Sequence, residues 1–266
     1  MVRCRQAAKG RQRLPTERAG IGRRRQPAQA PTLGRVRTLV AIPAFNEART
    51  VADVVREVRE YRPDDTILVI DDGSHDATAQ QAAAQDARVV HLPFNVGVGA
   101  AMRTAFLYAQ RKGFDAVVQV DADGQHDPAG IKALVEGLRS ASVVVGARGD
   151  SLSARGPRRW AMVILARALS RIVGVPLTDV TSGFRAADRQ AIALYARDYP
   201  TEYLGDTVES LVMASRAGLR VAQVDVEMRP RQGGKASQGP FMSAAYLARA
   251  ALALVVALSR SRRVGR

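Results

Sequence analysis

Cysteine is almost missing from this chain: Cys4 is the only one in 266 residues. An intrachain disulfide is therefore excluded, and any bound metal must be held by oxygen or imidazole ligands. Aromatic residues make up only 5%, and the central part of the chain lacks the aromatic-and-basic stripe that stacks on single-stranded nucleic acid. Histidine occurs three times, at His75, His91 and His126. None has a second histidine at metal-ligand spacing, so surface or capping roles are expected of them. Long apolar runs are also missing. No apolar stretch follows the basic residues at the amino end, so no secretory signal is expected and the protein is expected to stay in the cytoplasm. The run at 250–258 is too short for a spanning helix, which needs about 20 apolar residues.

What is present is a 47% hydrophobic composition, enough for one large α/β domain but not for a second full one. The formal net charge is +15. Residues 1–37 hold eleven Lys or Arg against Glu17 alone, so ten of those fifteen charges lie there. With Pro15, Pro27, Pro31 and the cluster Arg23-Arg24-Arg25, residues 1–36 are expected to be a basic, disordered leader. Counterion release on nucleic-acid phosphates could exploit such charge, but nucleic acid is not the expected partner because the core carries little of it.

From Thr38 onward, short β-branched runs alternate with amphipathic stretches of helical period, the pattern of a mostly parallel sheet flanked by helices. Strands are expected at 38–42, 66–70, 88–92, 116–120 and 142–145, each nearly continuously apolar as for strands buried on both faces. Helices are expected after Thr50, which can cap one, and over 98–112, 158–173, 188–196 and 206–217, with a further strand at 220–227. Residues 237–266 read as an amphipathic helix and basic tail suited to an anionic membrane surface, or equally to covering the core. The helix at 158–173, with Trp160 beside Arg159, Arg167 and Arg171, is a second candidate for the membrane surface.

In open parallel sheets, ligands sit outside the carboxyl ends of the strands. Here those ends run into Pro43-Ala44-Phe45-Asn46-Glu47, Asp71-Asp72-Gly73-Ser74-His75-Asp76 and Asp121-Ala122-Asp123-Gly124-Gln125. Asp121 and Asp123 place two carboxylates near one point, with Gln125 as a third oxygen, which suits Mg²⁺ or Mn²⁺ bridging a diphosphate. Alternatively, strand-end acids merely cap the next helix. Asp72 is a candidate acceptor for a base or ribose, Asp71 for holding the Gly73-Ser74 turn, and Asp76 for capping its helix. Asn95-Val96-Gly97-Val98-Gly99 reads either as a phosphate cradle or as close packing. Asp206 and Glu209 lie one helical turn apart. Asp206 is the preferred general base, against the alternative of a solvated helix start.

Taken together, Pro43-x-Phe45-Asn46-Glu47, Asp71-Asp72-Gly73-Ser74-x-Asp76-x-Thr78, Asn95-x-Gly97-x-Gly99, Asp121-x-Asp123-x-Gln125-His126-x-Pro128, Gly146-x-Arg148 and Ser182-Gly183-Phe184-Arg185 resemble family 2 glycosyltransferases. The dolichyl-phosphate mannose synthases and related bacterial polyprenyl-phosphate sugar transferases are the members they bring to mind. The resemblance implies a GT-A, Rossmann-like domain over 37–236 and a donor of the GDP-mannose or UDP-glucose type. It implies Pro43, Phe45, Glu47, Ile70, Asp72 and Ala122 at the nucleotide sugar, with Asp121, Asp123 and Gln125 around the metal. Arg148, Arg229 and Lys235 would face the phosphates, and Asp123, Arg148 and Asp206 would carry catalysis. The implied reaction is inverting transfer of a hexose to polyprenyl phosphate by a peripheral enzyme at the inner membrane face. Two alternatives stay open: a soluble transferase acting on a saccharide or small-molecule hydroxyl, and a non-catalytic nucleotide- or nucleic-acid-binding protein.

Overall fold

The computed structural model describes residues 36–148, 157–201 and 206–230. The leader, Lys235 and the amphipathic segment 237–266 lie outside the described residues. The chain from Val36 onward builds one seven-stranded sheet.

Strands β1 (Thr38–Ala44), β2 (Thr66–Asp71), β3 (Arg88–His91) and β4 (Ala116–Gln119) alternate with helices α1 (Val51–Tyr61), α2 (Thr78–Ala83) and α3 (Val98–Lys112). A 3-10 turn (Pro128–Gly130) and α4 (Ile131–Gly137) lead into β5 (Val143–Ala147) and α5 (Pro157–Val173). Then come β6 (Arg185–Asp188), α6 (Arg189–Asp198), α7 (Asp206–Arg216) and β7 (Val221–Asp225). The strand order is β3-β2-β1-β4-β6-β5-β7. Every neighbouring pair is parallel except those of β6, which runs antiparallel to both β4 and β5.

The apolar runs become strands because both of their faces are covered. Along β1, Leu39 and Ala41 face one core layer with residues of α3, α5, α6 and α7, while Val40, Ile42 and Ala44 face the other with residues of α1 and α4. Alternate side chains of a strand point to opposite faces, so a fully apolar run is what a two-sided burial requires. Helix α3 matches its expected bounds, ending at Gly113 in the left-handed region at φ 70°, where a glycine pays no Cβ penalty.

Three expectations need correction. Thr50 makes no capping bond: its hydroxyl donates to the Glu47 carboxylate at 3.0 Å. Asp188 is not inside α6 but caps it, accepting from the Gln190 and Ala191 N–H groups at 2.8 and 2.9 Å. The segment Arg185-Ala-Ala-Asp188, with no apolar run to mark it, is a strand inserted into the middle of the sheet.

Candidate active site

β1, β2, β4 and β5 are parallel, so their carboxyl ends share one edge of the sheet. β6 points the other way, which brings its amino end to that same edge, with Arg185 in register with Gln119 and Val145. The Asp121 and Ser182-Gly183 segments, about sixty residues apart in sequence, thereby become neighbours.

The contact is close. A Cβ built on Gly183 would meet Gln119 Nε2 at 2.9 Å and both Asp121 carboxylate oxygens at 3.0 Å, nearer than side-chain atoms normally come. Gln119 Nε2 itself donates to Asp121 Oδ1 at 3.2 Å. From the other side, His126 is buried, stacked on Phe184 with centroids 4.7 Å apart. Its Nδ1 accepts the Asp121 N–H at 3.0 Å. That bond leaves the proton of the neutral ring on Nε2, 3.5 Å from Asp121 Oδ2. Of the surface or capping roles expected, His126 is thus not at the surface: it is buried and caps the Asp121 N–H. The Asp121 side chain remains 37% exposed, whereas Asp123 is buried and accepts from the Gln125 N–H at 3.1 Å.

Asp206 opens α7 and is only 4% exposed, which overturns the solvated-helix-start alternative. Burial pushes its carboxyl up to about 6; the Arg185 charge opposes that shift and the Asp121 charge adds to it. Two carboxylates that sense each other across a cleft favour an intervening cation or a shared proton.

The nucleotide-side residues divide. Asn46 (φ 56°) is held to the second loop by bonds from its N–H to Ser74 Oγ and from the His75 N–H to its Oδ1, both 2.9 Å. Glu47 N–H donates to Thr78 Oγ1 at 2.9 Å. Asp76 accepts from Thr78 and Ala48. Burial works to raise its carboxyl, but these hydrogen bonds outweigh it and hold the group below its usual range. Asp71 holds the Ser74 N–H at 3.1 Å, the turn-holding role expected of it, and pairs with His91 Nδ1 at 2.6 Å. Phe45 lies exposed beside this framework, edge-on to His75, and Pro43 is half-buried.

Four expected positions behave differently. Ile70 and Ala122 are buried in the two core layers, so their side chains support the site from beneath rather than line it. Asp72 is buried and accepts the Val96 and Gly97 N–H groups at 2.9 and 2.8 Å. Burial raises its carboxyl, these two bonds lower it, and the Asp71 charge raises it further. The glycine segment thus cradles a carboxylate of its own chain, and Gly99 packs so tightly that a Cβ would stand 2.3 Å from the Pro200 carbonyl. Close packing is the reading that holds. Arg229 does not reach into the open cleft: its guanidinium bonds Glu57 at 2.7 Å and Asp127 at 3.1 Å. The Glu57 bond leads in holding that guanidinium protonated. Arg148 is half-buried, and its Nε has no partner among the described residues.

No group of three or more His, Cys, Asp or Glu is placed to hold a metal among the described residues. Asp121 and Asp123 nonetheless supply two carboxylates, the first partly exposed and the second buried. Mg²⁺ characteristically uses one or two carboxylates, retained waters and substrate phosphates rather than an all-protein cage.

Residues 39–195 match the family described as Glycosyl transferase family 2. The chain belongs to this family. Among relatives of this glycosyltransferase, the undecaprenyl-phosphate mannosyltransferase of Micrococcus luteus is 32% identical over 193 residues, covering 67% of the chain and 77% of the relative. The polyprenol monophosphomannose synthase of Mycolicibacterium smegmatis is 34% identical over 150 residues, covering 52% of the chain and 57% of the relative. Among solved structures, glucosyl-3-phosphoglycerate synthase of Mycobacterium tuberculosis with Mn²⁺, UDP and glucosyl-3-phosphoglycerate superposes with a TM-score of 0.64. It is 24% identical and covers 84% of this chain and 80% of its own. That likeness establishes the fold.

Gln119, His126 and Arg185, which strand-end reasoning did not assign, bond Asp121 or the start of α7. Only the family motifs around His126 and Arg185 point to them in the sequence.

Proposed function

We propose that this glycosyltransferase moves a hexose from a GDP-mannose- or UDP-glucose-type donor to a polyprenyl phosphate at the inner face of the membrane, with inversion. The observation that carries the reading is that Asp121, just past the carboxyl end of β4 and two residues before buried Asp123, acts electrostatically on the buried Asp206 carboxyl. The relatives named undecaprenyl-phosphate mannosyltransferase and polyprenol monophosphomannose synthase support the acceptor class.

A divalent cation bound by Asp121, Asp123 and Gln125 would supply Lewis-acid stabilisation of the leaving diphosphate. Arg148, a cation without a described hydrogen-bond partner at Nε, is suited to take up the charge growing on that diphosphate. Gln119 Nε2 bonds the Asp121 carboxylate, Gly183 packs against it, and His126 holds the Asp121 backbone N–H. Attack then comes in line on C1 from the opposite face. A phosphate acceptor is already largely ionised at neutral pH and needs little help from a base.

Attachment to the membrane surface is supported by α5. Trp160 and Ile164 are 69% and 64% exposed, and Arg167 and Arg171 are exposed on the same helical face, an apolar-and-cationic surface suited to anionic headgroups. No described helix is long and apolar enough to cross a membrane.

Asp206 also favours a second reading. A buried carboxyl with its pKa near 6 is suited to accept a proton from an acceptor hydroxyl. The test is transfer by the purified protein from each donor, with Mn²⁺ or EDTA, with and without polyprenyl phosphate. Metal-dependent transfer that needs the lipid phosphate and disappears in Asp123→Ala is the expected result. If Asp206→Asn retains most of that turnover, the phosphate acceptor stands; near-complete loss points to a hydroxyl. Absence of turnover with either donor removes the reading.

A further inference from the structure

Arg185 is buried, yet its guanidinium is anchored by neutral groups. Nε donates to the Ser182 carbonyl at 2.7 Å and Nη2 to the Val180 carbonyl at 2.8 Å. Nη1 donates to the Thr207 carbonyl at 2.6 Å and to Ser210 Oγ at 3.2 Å. A buried charge costs several kcal/mol unless it is compensated; the nearby Asp206 charge compensates this one in part, yet each of its hydrogen bonds goes to a neutral acceptor.

The acceptors belong to two different pieces of the site. Val180 and Ser182 belong to the segment that delivers Gly183 against the Asp121 carboxylate. Thr207 and Ser210 lie in the first turns of α7, which Asp206 begins. Tyr195 Oη donates to the Ser210 carbonyl at 3.0 Å, Ser210 Oγ donates to Thr207 O, and Asp179 Oδ1 accepts from the Thr181 and Ser182 N–H groups; none of these bonds joins the two pieces to each other, as those of Arg185 do. The guanidinium's fixed fork spans both pieces at once, which a lysine ammonium, a point charge on a flexible stem, cannot do.

We infer that Arg185 is a positioning residue for sugar transfer: it locks the segment that seats the Asp121 carboxylate to the start of α7 and so fixes that carboxylate in place. This rests on the glycosyltransferase reading above, in which Asp121 faces the reaction. All the Arg185 bonds go to groups of its own chain, so its loss should lower turnover and largely spare donor binding.

The experiment compares wild type, Arg185→Lys and Ser210→Ala for kcat, donor KM and thermal unfolding midpoint, with Mn²⁺ and polyprenyl phosphate present. Arg185→Lys is expected to lose at least about tenfold in kcat with donor KM within about threefold of wild type. Ser210→Ala, which removes one acceptor and leaves the fold's apolar contacts in place, is expected to lose a few-fold in kcat at unchanged KM. The Ser210 result keeps the test decisive if Arg185→Lys does not fold. Wild-type kcat in either folded variant overturns the inference. So does a donor KM that rises in step with the fall in kcat. If wild type itself transfers no sugar, the functional reading fails first and takes the inference with it.

Discussion

Asp206 shows how a single residue can weigh function against stability. An ordinary aspartic carboxyl has a pKa of 3.8, and burial moves this one up to about 6 despite the opposing Arg185 charge. Between those values the folded protein holds a proton that the unfolded chain has released, so folding is favoured least once the group is ionised. The stabilising contribution is fully present below about pH 4 and is lost as pH rises through about 6. At about 1.4 kcal/mol per pKa unit, the deficit at neutral pH is on the order of 2–3 kcal/mol. Asp206→Asn should therefore unfold at a higher temperature than wild type at pH 7.5, with the gap closing at pH 4. Thermal unfolding at both pH values checks this. A less stable variant at pH 7.5 would mean that attraction to Arg185 outweighs burial.

Among the elements, β6 was the hardest to foresee. Five of the six parallel strands, β1 to β5, were legible because each is a nearly continuous apolar run, and α3 was legible because glycines mark both of its ends. The sequence Arg-Ala-Ala-Asp carries neither signal; it is a strand only because β4 and β5 flank it and pair with it. The site divides in the same way. Asp121, Asp123 and Asp206 could be read from their places at strand and helix ends. The carbonyl anchoring of Arg185 and the pairing of Arg229 with Glu57, 172 residues away, depend on tertiary neighbours that no local pattern encodes. The β6 approach leads to a test of its own. Gly183→Ala puts a methyl group within 3.0 Å of both Asp121 oxygens and Gln119 Nε2, so the carboxylate has to turn. Calorimetric titration of Mn²⁺ in the presence of nucleoside diphosphate should show at least about tenfold weaker metal binding, as expected when an orienting contact is disturbed, with a nearly unchanged unfolding midpoint. Unchanged metal affinity would exclude Asp121 as a ligand that depends on this contact.

At the scale of the whole molecule, charge and chemistry are separated along the chain. Ten of the fifteen net positive charges lie in residues 1–37, while every described site residue follows Ile42. If the enzyme's function resides in the sheet edge, removing residues 1–35 should leave donor KM and kcat within about twofold of the full chain. Electrostatic affinity should behave differently. Each phosphate neutralised by a Lys or Arg contributes about 0.9 to the slope of log affinity against log salt on duplex DNA, so losing the leader should flatten that slope by several units. Both quantities can be measured on the same pair of proteins. Retained turnover with a flattened slope assigns the basic character to the leader and the reaction to the core. Lost turnover in a folded truncated protein would place leader residues in the reaction itself, and an undiminished slope would locate the polyanion-binding charge on the core.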